Sequence, residues 1–208
     1  MQHRHPRAQA PGGSRVATAR ETIDLRDHIA DRSLVNGDIV LVDRFLNHRV
    51  EPSIMAEVGR RIAEIARPLD ADLIVTAEAS GIPPALATAA ELGVPMIYAK
   101  KYVTPGPRQS FSREVGSATK GFEYSIEIRQ SVIDAGQRAL VVDDFLAQGR
   151  TAVALGEIIE EAGCEMLGAA FAVEKGWTNG RRLIEQRNWP VWAVVTIASV
   201  EGGTIRFG

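Results

Sequence analysis

Val141-Val142-Asp143-Asp144-Phe145-Leu146-Ala147-Gln148-Gly149-Arg150-Thr151 joins an apolar run to a helical pattern, and the order of its residues dictates a local architecture. Ala139 to Val142 read as a buried strand, while Thr151 to Ala162 place Val153, Leu155, Ile158 and Ile159 on one helical face. Where a strand turns directly into a helix, the first backbone amides of the helix point outward unpaired and suit an anion such as phosphate. Gly149 permits a positive φ and close approach of that anion, and Thr151 can cap the helix or donate its hydroxyl to a phosphate oxygen. Asp143 and Asp144 would repel phosphate; a ribose diol, or a magnesium ion carried by the ligand, suits them better. These residues alone are equally compatible with a solvated Asp pair before a capped helix.

Outward from this segment, Leu73 to Ala77, Ala169 to Val173 and Val191 to Ile197 form further buried strands, and Val94 to Ala99 is another apolar run. Ser53 to Ala66 place Ile54, Val58, Ile62 and Ile65 on one helical face, and Pro83 and Pro84 open a second helix that Gly93 closes. Strand and helix alternate, which predicts a mostly parallel central sheet flanked by helices. The stretch from Thr104 to Gly121 has no apolar period and reads as a long loop, a candidate lid carrying Arg108, Arg113 and Lys120.

The 208 residues carry a formal net charge of −2, so no whole-chain field gathers nucleic acid, and any bound anion is held locally. Cys164 is the only cysteine, which excludes an intrachain disulfide and a cysteine zinc cluster and fits a cytoplasmic location; it reads as a small core residue. No apolar run has the length of a membrane span. Residues 1–20, interrupted by Pro6, Pro11, Gly12 and Gly13, read as a disordered extension, leaving 21–208 as a single domain.

Four apolar residues, two acids and a small-residue phosphate loop in this order resemble the motif by which type I phosphoribosyltransferases bind 5-phosphoribosyl 1-pyrophosphate (PRPP). The Walker pattern is absent, because no Gly-Lys-Ser/Thr ending follows. The resemblance runs from about Ile23 to Phe207 and is strongest to the bacterial branch that acts on xanthine. It implies the fold of that family with a small hood from about 36–50 and 175–208, and purine salvage with PRPP and an oxopurine as substrates and magnesium accompanying PRPP rather than a protein metal site. It also implies a homodimer.

By the same resemblance, Asp143 and Asp144 are the candidate catalytic pair. Ala147, Gln148, Gly149, Arg150 and Thr151 bind PRPP with the pyrophosphate loop Glu78-Ala79-Ser80-Gly81, and Lys100 or Lys101 meets pyrophosphate, one of them from a neighbouring subunit. Val42-Asp43-Arg44-Phe45-Leu46-Asn47-His48 resembles the purine hood and Val173-Glu174-Lys175 the purine-recognition strand end, which makes Val40, Asn47 and Lys175 purine contacts. Val40 departs mildly from the leucine common there. Ala147 stands where hypoxanthine-guanine enzymes carry a basic aspartate, so reaction would rest on stabilising the leaving group.

An ammonium has donors only, so Lys175 complements the carbonyl oxygen of xanthine, guanine or hypoxanthine and disfavours adenine. Without the resemblance, Lys175, Lys100 and Lys101 are also readable as solvated strand ends and Asn47-His48 as turn residues. Trp177 could flank the base; core or surface cover is the simpler role for it, Trp189 and Trp192. A PRPP-sensing purine repressor is the rival from another class, but about twenty residues before the matched region are too few for a DNA-reading module.

Overall fold

The computed structural model describes residues 23–37, 39–102, 109–116 and 123–208. The expected extension over 1–20 and the lid residues Arg108 and Lys120 lie outside them. An eight-stranded sheet forms the centre, in the order β10-β9-β8-β7-β3-β4-β6-β5. Its strands are β3 (Leu73–Ala77), β4 (Met96–Tyr102), β5 (Ser110–Gly116), β6 (Glu123–Arg129), β7 (Arg138–Leu146), β8 (Glu165–Lys175), β9 (Val191–Glu201) and β10 (Thr204–Phe207). The five central strands, β9-β8-β7-β3-β4, run parallel, and β10, β6 and β5 are antiparallel additions at the two edges. This is the mostly parallel sheet expected, and β3 is buried along its whole length, as a strand covered on both faces must be.

Helices α2 (Pro52–Ala66) and α3 (Ile82–Leu92) cover one face, while α4 (Arg150–Glu161) and the short α5 (Gly180–Glu185) cover the other. The apolar stripes read from sequence are those buried. Ile54, Val58 and Ile62 of α2 and Leu155, Ile158 and Ile159 of α4 are at most 1% exposed, and Ile65 sits half-buried at the margin. Gly93 closes α3 in the left-handed conformation, with φ at +73°. Between α2 and α3 the backbones nearly touch: a Cβ on Gly59 would lie 2.6 Å from the carbonyl carbon of Ala87.

Before α2 stand α1 (Leu25–Arg32) and the hairpin of β1 (Leu34–Asn36) with β2 (Ile39–Leu41). Leu25, Ile29, Val40, Phe45 and Leu46 join the α2 side of the core, and Arg26 binds the carbonyl of Gly208 at 2.8 Å, so the N-terminal segment meets the C-terminal strand. No helix among the described residues is long and apolar enough to cross a membrane.

One expectation fails. Residues 110–116 are not loop but strand β5, paired with β6 from Ser110↔Arg129 to Gly116↔Glu123. Only Val115 is buried, so this polar edge strand lacks the apolar alternation that announces a strand. Arg113 is committed to Glu157 at 3.2 Å and Glu161 at 2.6 Å on α4, which removes it from a lid closing over a polyanion. Cys164 is buried as expected, its sulfur 3.2 Å from the Asp134 carbonyl, and burial pushes its thiol up.

Candidate active site

Because β4, β3, β7 and β8 are parallel neighbours, their carboxyl ends open on one edge of the sheet. The chain order runs outward one way from β3 to β4 and the other way from β7 to β8 and β9, so strand order reverses between β3 and β7. A crevice is expected at such a reversal, since the loops that leave the two strands diverge to opposite faces. Glu78 to Gly81 lead from β3 into α3, and Ala147 to Gly149 lead from β7 into α4.

Asp144 ties this crevice together. It is 6% exposed, accepts the Ser80 hydroxyl at 3.0 Å and faces the Asn47 amide nitrogen at 3.3 Å, so three segments distant in sequence converge on one carboxylate. Asp143 accepts the backbone N–H of Asp144 at 2.9 Å. Loss of solvation, reinforced by the neighbouring Asp144 charge, pushes its carboxyl well above the usual carboxylate range, and the more distant Lys101 pulls the other way. Gly81 is required beside it: a Cβ there would stand 2.4 Å from Asp143 Oδ1 and 2.1 Å from Thr76 Oγ1, a buried hydroxyl without a protein partner.

The α4 turn has the backbone form read from sequence, a positive-φ glycine before unpaired amides, with one change. Gly149 is the N-cap, at φ +72°, and the first helical bond runs from Val153 N–H to the Gly149 carbonyl. The amides of Arg150, Thr151 and Ala152 therefore have no partner within the helix. Thr151 lies inside the first turn and does not cap it; its hydroxyl is 3.4 Å from that of Tyr124. Gln148 and Arg150 are exposed, and Arg150 reaches the Gly116 carbonyl. Positive φ rather than side-chain capping is what starts this helix, which leaves its amides open.

The paired lysines separate. Lys101 donates its backbone N–H to Glu78 at 2.8 Å, and its ammonium lies 5.3 Å from the Tyr124 ring centre, on the side where it attracts Asp143. Lys100, one residue earlier on the strand, points to the opposite face and lines an open cavity of about 340 Å3 with Tyr98, Tyr102 and Arg129. Lys100 is thus not brought to the Asp pair of its own chain. Val40 is 4% exposed with its side chain in the core, leaving its backbone as the group able to meet a ligand.

Lys175 ends β8 with its ammonium 5.6 Å from the centre of the Phe145 ring. Behind it, Glu174 is 4% exposed and held by Arg181 through bonds of 2.8 and 2.6 Å, with Thr196 at 3.2 Å. Sequence reasoning missed this ion pair, and it missed Thr178, whose hydroxyl lies 2.6 Å from the Ala147 carbonyl. Thr178-Asn179-Gly180 reads as an ordinary turn, so nothing in it announces a partner 31 residues away. Trp189 is buried and bonds Glu160, whereas Trp177 is 39% exposed beside the Lys175 turn.

A family described as phosphoribosyl transferase domain matches residues 50–199. Xanthine phosphoribosyltransferase of Chloroflexus aurantiacus is 41% identical over 181 residues, 86% of each chain. The Pseudomonas aeruginosa protein of the same name is 38% identical over 185 residues, covering 88% of this chain and 97% of the relative. Among solved structures, adenine phosphoribosyltransferase of Thermoanaerobacter pseudethanolicus superposes with a TM-score of 0.66 at 21% identity, over 82% of this chain and 98% of that one. The Saccharomyces cerevisiae enzyme of that name gives 0.60 at 24% identity, over 69% and 80%. At such identity the superpositions speak for the fold alone.

Proposed function

The chain belongs to the phosphoribosyltransferase family, and from that premise we propose that it transfers the 5-phosphoribosyl group of PRPP to xanthine, yielding xanthosine 5′-monophosphate and pyrophosphate in purine salvage. The observation that carries the reading is the convergence on Asp144 of Ser80, from the pyrophosphate loop, and Asn47, from the purine side. The open amides at the start of α4 hold the 5′-phosphate, Glu78 to Gly81 hold pyrophosphate, and the Asp pair accepts from the ribose diol. The bond from C1 of the ribose to pyrophosphate breaks with its electron pair going to pyrophosphate, a bond from a ring nitrogen of the base forms, and that nitrogen gives up its proton to the departing pyrophosphate or to water. With Ala147 in the loop no side-chain base stands there, so the rate comes from orientation and from stabilising the departing pyrophosphate.

Magnesium enters with PRPP. Asp143 and Asp144 are the residues that would help hold it, with substrate and water supplying further oxygen ligands. Ionising the raised Asp143 becomes favourable once cation and hydroxyls arrive, so ligand binding supplies the partners that the carboxylate beside it cannot. Lys175, steadied over Phe145, donates to a purine carbonyl oxygen, with Asn47 and the Val40 backbone beside it. Residues 36–50 and 175–208 act together as the hood.

The active unit is a homodimer. Tyr98 and Val132 are 43% and 51% exposed around the Lys100 cavity, a face whose apolar side chains a second copy would cover. Lys100 would then serve the other subunit. The test is a panel of adenine, guanine, hypoxanthine and xanthine with PRPP and magnesium, read by nucleotide formation: xanthine should have the highest kcat/KM, and binding of PRPP without consumption of any purine would overturn the reading.

A further inference from the structure

We infer that Thr178 is a positioning residue that couples the phosphate loop to the purine-binding lysine. Its Oγ1 lies 2.6 Å from the Ala147 carbonyl and 2.7 Å from the Lys175 carbonyl. A hydroxyl has one proton to give. The Lys175 carbonyl already receives the backbone N–H of Thr178 at 3.0 Å, so the hydroxyl proton goes to Ala147. The backbone N–H of Thr178 thereby closes the turn that carries Lys175, and its hydroxyl fastens that turn to the loop that carries the open amides.

Nothing separates the two turns. A Cβ on Gly180 would lie 2.2 Å from the Ala147 carbonyl oxygen, and one on Gly149 would lie 2.8 Å from the Gly180 carbonyl oxygen. The far side of the Lys175 turn is fixed in the core, because Arg181 binds buried Glu174 and the Val191 carbonyl at 2.8 Å. Residues 147–149 and 175–180 therefore lie close enough for the Thr178 bond to transmit a displacement of one to the other. An anion that orders the first also orders the second, and a purine meets Lys175 already placed. This rests on the proposed roles of the α4 turn and of Lys175.

Ribose 5-phosphate, which fills the phosphate site but has no leaving group, separates coupling from chemistry. The dissociation constant of xanthine is measured calorimetrically with and without saturating ribose 5-phosphate. In the unaltered protein affinity should rise at least about fivefold. Thr178→Val should bring the ratio near one while each ligand alone binds within about twofold of normal, and Thr178→Ser should restore it. Thr178→Ala gives the same readout should the valine variant fail to fold. An unaltered ratio in the valine or alanine variant, or a ratio of one in the parent, overturns the inference. Failure of the parent to convert xanthine at all overturns the functional reading beneath it.

Discussion

Two neighbouring strands, β7 and β8, each deliver carboxylates to the same edge of the sheet and treat them in opposite ways. Glu174 is buried and fully matched: a two-pronged Arg181 and the Thr196 hydroxyl occupy it. Asp143, half-buried beside a second carboxylate, has its carboxyl pushed above the usual range and receives one backbone N–H. The first is a finished structural pair; the second, on the proposed function, takes its partners from a magnesium-bearing sugar phosphate. What separates the two strands is therefore not the presence of acid groups but whether a cation compensates them.

The largest effect should come from breaking the finished pair. Arg181→Met leaves Glu174 buried and uncompensated, and urea unfolding should register a loss of about 3 kcal/mol, the lower part of the range for such pairs because Arg181 is partly exposed. A smaller loss would make Glu174 resemble Asp143 more than the structure indicates. The converse change, Asp143→Asn with Asp144→Asn, should weaken PRPP binding about 100-fold, by titration calorimetry, as charge-assisted bonds to the diol are lost. Normal PRPP affinity in that double variant would sink the diol assignment.

Lys175→Ala should raise the KM for xanthine about tenfold and leave PRPP affinity nearly unchanged, in keeping with loss of one charged hydrogen bond. Equal losses for both substrates would assign Lys175 to the fold rather than to the base. The smallest effect concerns pH. Folded Asp143 keeps its proton to higher pH than the unfolded chain does. Through the window from the ordinary carboxylate value up to that raised value, the folded state binds more protons, so stability falls as pH rises. Asp143→Asn should flatten the thermal midpoint in that window and lift it at neutral pH. A parent midpoint that instead climbs there would mean Asp143 is paired.

What was legible in the sequence follows from range. Leu73–Ala77 is the strand its apolar run describes, and α2 and α4 bury the stripes their periodicity predicts, because local pattern and burial agree. Gly149 announced its own backbone conformation. Strand β5 was hidden, since an edge strand answers to its partner's hydrogen bonds rather than to a core. The roles of Asp144 and Thr178 as junctions depend on partners 97 and 31 residues away, and no spacing rule reaches that far. The separation of Lys100 from Lys101 needed only the alternation of a strand, once the strand was known to continue through Tyr102.

The near-contact of Gly59 with Ala87 has a mechanical meaning for the crevice. Helix α3 carries the turn of Glu78 to Gly81 on its leading end and rests at mid-length on a hydrogen atom of α2. Any bulk at Gly59 would act as a shim under a lever, swinging that end relative to the fixed Asp144 while α3 itself stays helical. The width of the crevice is therefore gauged from a helix contact behind it, and on the proposed function a Gly59→Ala chain would keep every proposed binding group with its jaws set to a different width.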